Sequence, residues 1–215
     1  MSRTVFLVIL CLLSYPEAQA QTQNPVPKYE IALEFTTLQR EEFYEKRTEI
    51  GVGPRFTLNL NKNVALESAV YFFPDNCFQC SQMGRMTQVV GGVKVGKRYD
   101  KWGFFAKARP GFVTFSRGRL DTAQLGQGLL SPTFFTEVSR LTSFTADLGG
   151  VLEFYPSKRI VTRFDAGDTL IHFTRQQQHL LAFNPQTQQI IVVPFTIPAR
   201  TTNNFQFVAS VGFRF

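Results

Sequence analysis

The sequence predicts an all-β fold, a closed eight-stranded antiparallel up-and-down β-barrel that crosses a membrane. Three observations support this prediction. Eight segments alternate between apolar and polar side chains, tight and long connections alternate along the chain, and the last segment still alternates at its final residue, Phe215. Transmembrane strands show this alternation because one face of each strand contacts lipid and the other faces the barrel interior.

Residues 1–20 have the pattern of a cleaved secretory signal peptide. A basic residue, Arg3, precedes an apolar stretch from Val5 to Leu13, and small residues lead to a predicted cleavage site between Ala20 and Gln21. The apolar stretch is much shorter than the roughly 20 residues of a membrane-spanning helix. We therefore expect the mature chain to be exported through the inner membrane.

Two further boundaries follow along the chain. Residues 21–28 are polar and contain two prolines, which predicts a short periplasmic linker, and residues 29–215 then form a single barrel domain. Removing the signal takes away one base, Arg3, and one acid, Glu17, so the net charge of +7 belongs to the mature chain. Nucleic acid is not an expected partner, because acidic residues interrupt the basic face that it would need.

The first four predicted strands place large apolar residues on one face and charged or small residues on the other. The second segment shows this most clearly, with Ile50, Phe56 and Leu58 opposite Glu49 and Arg55. The four segments occupy residues 29–36, 47–60, 64–72 and 88–99.

The remaining strands are predicted at residues 102–112, 144–154, 163–173 and 204–215. In the seventh segment, regular alternation would place Asp168 on the apolar face. We therefore predict a one-residue bulge at Gly167, which returns Asp168 to the polar face and Ile171 and Phe173 to the apolar face.

The connections between the segments alternate in length, as they do in outer-membrane barrels. Tight links are expected to be periplasmic and long loops extracellular. Within the last loop, two apolar runs flank a turn signal at Asn184-Pro185-Gln186-Thr187. The first run is shorter than the ~9 to 11 residues of a spanning strand, so we predict an extracellular extension, with a ten-stranded barrel as the alternative. The tight links are 61–63, 100–101 and 156–159, and the long loops are 38–46, 74–86, 116–141 and 174–203.

From Tyr29 to Phe215 the chain resembles a small bacterial outer-membrane β-barrel protein, similar to the membrane domain of the outer membrane protein A family. The resemblance implies a location in the bacterial outer membrane, contact with its lipid including lipopolysaccharide, and the barrel-assembly machinery as a partner during biogenesis. We expect no peptidoglycan-binding domain after the barrel, so cell-wall anchoring is not implied. The terminal strand resembles the family's assembly signal, with Phe207, Ala209, Val211, Phe213 and Phe215 on one face.

The polar faces of the predicted strands collect charges of both signs in the barrel interior. Because the interior of an eight-stranded barrel is just wide enough for side chains to fill, we expect these charges to pair and close it. A conducting pore is the alternative. The predicted charge network contains Glu30, Glu34, Arg47, Glu49, Arg55, Glu67, Lys94, Arg98, Lys107, Arg109, Asp147, Glu153, Arg163, Asp165, Arg214 and, through the bulge, Asp168.

Other chemistry-bearing residues are few, and no catalytic, cofactor-binding or metal-binding residue is predicted. A resemblance to outer-membrane lipid A deacylases would need a His-x-Ser pair, whereas this chain has His172-Phe173-Thr174. Cys77 and Cys80 lack the second ligand pair of a zinc site, and we predict a disulfide within a loop. Rim arginines could pair with lipopolysaccharide phosphates or form a solvated surface; they are Arg117, Arg119, Arg140, Arg175 and Arg200.

The sequence thus predicts a non-enzymatic integral outer-membrane protein with a structural or surface-interaction role, whose extracellular loop partner is unknown. A narrow channel for small solutes is the alternative with the same fold. A secreted, soluble, lipocalin-like carrier would need the apolar face inside and the charged face outside. A lipid A-modifying enzyme is the third alternative.

Overall fold

The computed structural model describes residues 26–42, 45–74, 85–116, 118–121, 135–138, 140–184 and 189–215. The predicted signal peptide and the predicted disulfide between Cys77 and Cys80 lie outside these residues. In the described part of the chain, no helix has the length and apolar character needed to span a membrane.

The described residues form strands that fall into three sheets. Eight strands make up a closed barrel in the order β1-β12-β9-β8-β5-β4-β3-β2, and two hairpins, β6-β7 and β10-β11, are separate two-stranded sheets. The strands are β1 Tyr29–Glu42, β2 Glu45–Asn59, β3 Val64–Phe73, β4 Met86–Arg98, β5 Trp102–Phe115, β6 Gly118–Asp121, β7 Phe135–Val138, β8 Leu141–Phe154, β9 Ile160–Phe173, β10 Gln176–Asn184, β11 Gln189–Ile197 and β12 Arg200–Arg214.

Pairing of the first and last barrel strands closes the sheet. The register of β1 and β12 runs from Glu30 opposite Arg214 to Leu38 opposite Gln206. Next to the pair of Glu30 and Arg214, the amide of Tyr29 donates to the carbonyl of Phe215 and the amide of Phe215 donates to the carbonyl of Tyr29, each at 2.9 Å. A closed sheet has no free edge, so the paired part of each strand has a hydrogen-bonding neighbour on both sides. The predicted eight-stranded antiparallel barrel is confirmed.

The two additional hairpins lie between barrel strands. β10 and β11 pair from Gln176 opposite Ile197 to Asn184 opposite Gln189, and neither strand pairs with the barrel. The ten-stranded alternative is therefore wrong. The short β6-β7 hairpin lies within the predicted 116–141 loop and was not expected, because its few residues carry no clear alternation.

Side-chain acceptors fix two of the tight turns. The Asn61 Oδ1 atom accepts hydrogen bonds from the amides of Asn63 at 2.7 Å and Val64 at 2.9 Å. The Ser157 Oγ atom accepts from the amides of Arg159 at 3.2 Å and Ile160 at 3.1 Å. Such local bonds favour a sharp reversal. We call the end of the barrel that carries these turns the turn end, and the opposite end, from which the two hairpins extend, the hairpin end.

The predicted bulge at Gly167 is wrong. Pairing of β9 continues without interruption, with Gly167 opposite Gly149 on β8 and Asp168 opposite Phe205 on β12. A Cβ atom on Gly167 would lie 2.5 Å from the Cα of Gly149, so a close approach of two glycines holds this register. Asp168 consequently lies on the outer face and is exposed, while the later inward positions Ile171 and Phe173 are buried.

Candidate functional site

The barrel interior contains two layers of different chemistry. The layer nearer the turn end, which we call the charged layer, consists of ionised side chains that are almost completely buried. Every barrel strand contributes to it, because its members lie at inward positions of the period-two pattern. The charged layer comprises Glu30, Glu34, Arg55, Glu67, Lys94, Arg98, Lys107, Arg109, Asp147, Glu153, Arg163, Asp165 and Arg214.

Glu67 on β3 is the centre of the charged layer. Its carboxylate contacts Arg163 on β9 through both oxygens, with the second at 3.0 Å from Nη2. The same carboxylate lies 3.2 Å from Lys94 Nζ, 3.7 Å from Arg55 Nη1 and 3.8 Å from Arg109 Nη1. Four cations therefore converge on one buried acid, and loss of that acid would leave all four with reduced compensation.

A chain of ion pairs extends from this centre toward β5 and β8. Arg163 binds Asp165 bidentately, at 2.5 and 2.7 Å. Lys107 Nζ lies between Asp165 at 3.1 Å and Asp147 at 3.0 Å, and Asp147 accepts from Arg109 Nη2 at 2.5 Å. Bidentate guanidinium–carboxylate geometry is the strongest form of charged hydrogen bond and fixes orientation as well as distance.

The charged layer continues to the turn end through Tyr155, which lies just after β8. Its hydroxyl donates to Glu153 at 2.7 Å and accepts from Arg98 Nε at 2.8 Å. Burial, together with the Glu153 carboxylate, raises the pKa of the Tyr155 hydroxyl well above its ordinary value. The guanidinium of Arg214 stacks on the Tyr155 ring at 4.3 Å, so this aromatic ring closes the bottom of the network.

Among the described residues, one ion pair and one side-chain hydrogen bond bridge the lumen between opposite walls. β3 and β9 lie diametrically opposite in the strand order, and Glu67 and Arg163 join them. Nearer the hairpin end, β4 and β12 are also opposite, and the amide of Gln206 donates to Gln88 at 3.4 Å. Gln206 also donates to Thr36 on the neighbouring strand β1 at 2.9 Å, which orients its side chain. Side chains therefore meet across the full width of the barrel at two heights.

The second layer, toward the hairpin end, is apolar, and we call it the apolar layer. The rings of Phe115 on β5 and Phe173 on β9 stack at 5.9 Å. Arg40 and Arg200 cover these rings at 5.5 and 5.4 Å from the respective centroids. Its buried members are Leu38, Ala69, Tyr71, Phe73, Met86, Val90, Val113, Phe115, Ile171, Phe173 and Val208.

The apolar layer is not predicted by the alternation in the sequence. Near the hairpin end both faces of several strands are apolar, as at Phe72 outside and Phe73 inside, so alternation in hydrophobicity does not separate them. The inward face could be predicted by counting every second residue from the last inward-facing charge on each strand. Counted from Glu67, Tyr71 and Phe73 fall on the inward face.

The other predicted network residues lie apart from the charged layer. Glu49 accepts from Arg40 at 3.1 Å near the hairpin end, and Arg47 is partly exposed on the same strand. Asp168 lies on the outer face. The predicted assembly-signal residues of β12 are all exposed on the outer face; they are Phe207, Val211, Phe213 and Phe215.

The residues considered for catalysis do not converge in the structure. His172 is exposed, and its Nδ1 atom lies 2.9 Å from the hydroxyl of Thr201 on the neighbouring strand. The side chain of His179 lies outside the described residues. Among the residues with described positions, no group of three His, Cys, Asp or Glu side chains is placed to hold a metal ion.

The outer face of the barrel is an apolar band. Aromatic contacts border it at the turn end, where Tyr99 and Trp102 lie 4.3 Å apart and Tyr29 and Phe215 lie 5.9 Å apart. Large side chains in the band remain strongly exposed, for example Val211 at 61%. An apolar band with aromatic borders is typical of barrels that cross a lipid bilayer.

Comparison with known proteins yields structural matches only. No model of a known protein family and no curated protein matches the sequence. Neisserial surface protein A shares 8% identity, covers 87% of this chain and 97% of its own, and has a TM-score of 0.52. Ail of Yersinia pestis shares 12% identity, covers 88% of this chain and 99% of its own, and has a TM-score of 0.47. The N-terminal β-barrel domain of Pseudomonas aeruginosa OprF shares 10% identity, covers 86% of this chain and 97% of its own, and has a TM-score of 0.42.

The match to Neisserial surface protein A, at low identity, demonstrates a common fold. The chain therefore has the fold of a small outer-membrane β-barrel, which agrees with the resemblance found in the sequence.

Proposed function

We propose that the protein is a non-enzymatic integral protein of the bacterial outer membrane, with a closed lumen and a structural or surface-interaction role. The observation that supports this proposal best is the inversion of the barrel relative to a water-soluble one. Charged side chains are buried inside, and large apolar side chains are exposed outside. Only a lipid environment makes both arrangements favourable at once.

The apolar exterior supports a membrane location. Phe35, Ile50 and Phe112 expose 60%, 68% and 59% of their surfaces, and they lie on three different strands of the barrel. Soluble monomers rarely expose continuous apolar patches larger than a few hundred Å². An exterior of this kind would drive aggregation in water, whereas contact with acyl chains removes that cost.

The filled lumen supports a closed rather than a conducting barrel. The bridge from Glu67 to Arg163 and the contact between Gln206 and Gln88 occupy the lumen at two heights. Stacking of Phe115 on Phe173 fills a third level. Eight-stranded barrels have interiors that side chains can fill completely, and wide aqueous channels belong to barrels of about 16 strands or more.

The outward aromatic face of β12 supports the barrel-assembly machinery as a partner during biogenesis. Phe213 and Phe215 lie next to each other, with ring centroids 6.2 Å apart, at the turn end where the barrel closes. If the barrel-assembly machinery recognises these side chains during insertion, deleting Phe215 should lower the amount of inserted protein in cells. Folding of the same variant in detergent should change much less.

The alternatives require features that the described residues do not supply. A soluble lipocalin-like carrier requires the large apolar face inside the barrel, and Phe205 and Phe207 are exposed outside. A lipid A-modifying enzyme requires a nucleophile with an oriented base. His172, the candidate base, has Thr201 as its hydrogen-bonding neighbour, on the outer face of the barrel.

Fractionation tests the proposed location. The protein expressed with its own leader should sediment with outer membranes and resist extraction by high salt and by carbonate. The folded barrel should also migrate differently before and after boiling, because closed membrane barrels resist detergent denaturation without heat. Recovery as a detergent-free monomer in the soluble fraction would contradict the proposal.

A further inference from the structure

We propose that a cleft on the outer face of the barrel, at the hairpin end, binds a phosphate group of an acylated lipid in the outer leaflet. The cleft has a volume of about 620 Å³. This inference rests on the proposed outer-membrane location, and we define the site by the residues that line it. They are Phe72, Arg85, Thr87, Thr114, Ser116 and Arg140.

The cleft faces lipid and not the lumen. Met86 and Gln88 are buried inside the barrel on either side of Thr87, so Thr87 points outward. The same parity applies to Thr114, which lies between the buried residues Val113 and Phe115. A ligand in this cleft would therefore lie beside the barrel, where membrane lipid lies.

Three chemically distinct levels succeed one another on this surface. Val89 pairs with Phe112, and Phe112 pairs with Phe144, so the level farthest from the hairpin end is an apolar row. The next outward-facing row toward the hairpin end contains only hydroxyl side chains, on the same three strands β4, β5 and β8. In register, it consists of Thr87, Thr114 and Thr142.

Two members of the hydroxyl row contact each other across neighbouring strands. The Thr114 and Thr142 hydroxyls lie 3.1 Å apart, and each can donate to or accept from the other. Beyond this row, toward the hairpin end, lie the two arginines. Arg85 directly precedes β4 and its carbonyl accepts from the amide of Ser116 at 2.8 Å, while Arg140 directly precedes β8.

This order matches the order of chemical groups in an acylated, phosphorylated lipid. Acyl chains would contact the apolar row, ester and sugar oxygens the hydroxyl row, and phosphate the guanidinium groups. Arginine is suited to phosphate because its planar fork can donate two parallel hydrogen bonds.

The two arginines differ in pairing from the other arginines around the hairpin end. Arg40 binds Glu49, and Arg200 covers the Phe173 ring. In the part of the chain that the structure describes, neither Arg85 nor Arg140 forms an ion pair or a side-chain hydrogen bond, and both are exposed. Two exposed arginines that line one cleft are suited to bind one phosphate group, since both add to the local positive potential and both can donate charge-assisted hydrogen bonds.

Binding of bisphosphorylated lipid A to the purified, refolded full-length protein in detergent micelles tests this inference. The R85Q/R140Q variant should bind it roughly tenfold more weakly or worse, because charge-assisted hydrogen bonds to phosphate are lost. The charge-preserving R85K/R140K variant should retain part of the affinity. R175Q is the matched control, since it removes an exposed arginine of the same end that does not line the cleft.

Two further ligands identify the group that is recognised. Lipid A without phosphates should bind wild-type protein as weakly as bisphosphorylated lipid A binds R85Q/R140Q. Inorganic phosphate should compete only at far higher concentration, because it lacks the acyl contacts with the apolar row. Equal binding of bisphosphorylated lipid A to wild type and R85Q/R140Q, or an equal loss in R175Q, would overturn the inference.

A fold control separates this inference from the proposed function. Each variant is checked for heat-modifiable migration and for sedimentation with outer membranes. If the wild type fails these two assays, the proposed location is wrong. If all variants pass them and lipid A binding does not depend on Arg85 and Arg140, only the proposed site is wrong.

Discussion

The two layers of the lumen close the barrel by different physical means. In the charged layer, Glu67 and Arg163 are held by direct ion pairs whose strength depends on every partner being present. In the apolar layer, Phe115 and Phe173 are held by packing, whose loss depends on the volume removed. A missing charge should therefore affect several neighbours at once, whereas a missing ring should leave a local cavity. The following predictions test this difference, from the largest expected effect to the smallest.

Replacing the central acid of the charged layer should have the largest effect. We expect Glu67→Gln to lower the free energy of unfolding by about 3–5 kcal/mol, because it leaves buried cations without compensation. Urea unfolding in detergent micelles measures this. Asp100→Asn is the matched control, since Asp100 lies exposed in a tight turn, and it should change stability by less than about 0.5 kcal/mol. Equal effects of the two substitutions would contradict a central role for Glu67.

Restoring charge balance should recover much of that loss. In the E67Q/R163Q double variant, the acid is removed together with Arg163, the cation that contacts both of its carboxylate oxygens. We expect the double variant to be more stable than E67Q alone, since a matched removal costs less than an uncompensated charge. The measurement is a double-mutant cycle by urea unfolding. Simple additivity of the two single effects would show that the pair is not coupled.

Truncation in the apolar layer should have a somewhat smaller and more local effect. Phe115→Ala should cost about 3 kcal/mol through the lost transfer free energy and the cavity next to Phe173. In the Glu67→Gln/Phe115→Ala double variant, the losses in the free energy of unfolding of the two single variants should be nearly additive, because Glu67 and Phe115 lie in different layers. Strong non-additivity in urea unfolding would show that the two layers act as one.

Tyr155 connects the charged layer to the turn end, and its removal should have a moderate effect. Tyr155→Phe should cost about 1.5–3 kcal/mol, because it deletes hydrogen bonds to Glu153 and Arg98. Since folding raises the pKa of this hydroxyl above its ordinary value of 10, its contribution is present below pH 10 and declines as the pH rises beyond it. The stability difference between wild type and variant should therefore shrink above pH 10. A constant difference would contradict the buried, protonated hydroxyl.

The smallest effect should come from an acid on the opposite face. Asp168 lies outside the barrel between Leu148 and Phe205, in contrast to Asp165, which is buried in the charged layer. Asp168→Leu should raise the free energy of unfolding by about 0.5–1 kcal/mol, since carboxylates on a lipid-facing surface are moderately destabilising. Unfolding from lipid bilayers measures it. Destabilisation by Asp168→Leu would indicate that the carboxylate has a partner.

The sequence was informative wherever the two faces of a strand differ in polarity. The strands that carry Glu30, Arg55 and Lys94 were predicted with the correct inward face, because a charge opposite an apolar residue sets the parity. The same rule failed near the hairpin end, where Ile171 and Phe173 point inward to an apolar layer. An assumption of a polar interior throughout led to the false bulge.

Contacts across the lumen could not be derived from the sequence in the same way. The meeting of Glu67 with Arg163 depends on strand order and on the stagger of the barrel, neither of which a single strand encodes. The lipid-facing cleft has a similar origin. Arg85, Thr114 and Arg140 are far apart in sequence, and only the register of β4, β5 and β8 brings them to one surface.

Conductance of the purified wild-type protein in planar lipid bilayers tests most directly the central claim that two layers close the lumen. Because the charged and the apolar layers each fill the barrel, we predict no stable conductance steps at moderate voltage after insertion has been verified by heat-modifiable migration. Reproducible, long-lived single-channel steps from folded wild-type protein would contradict it.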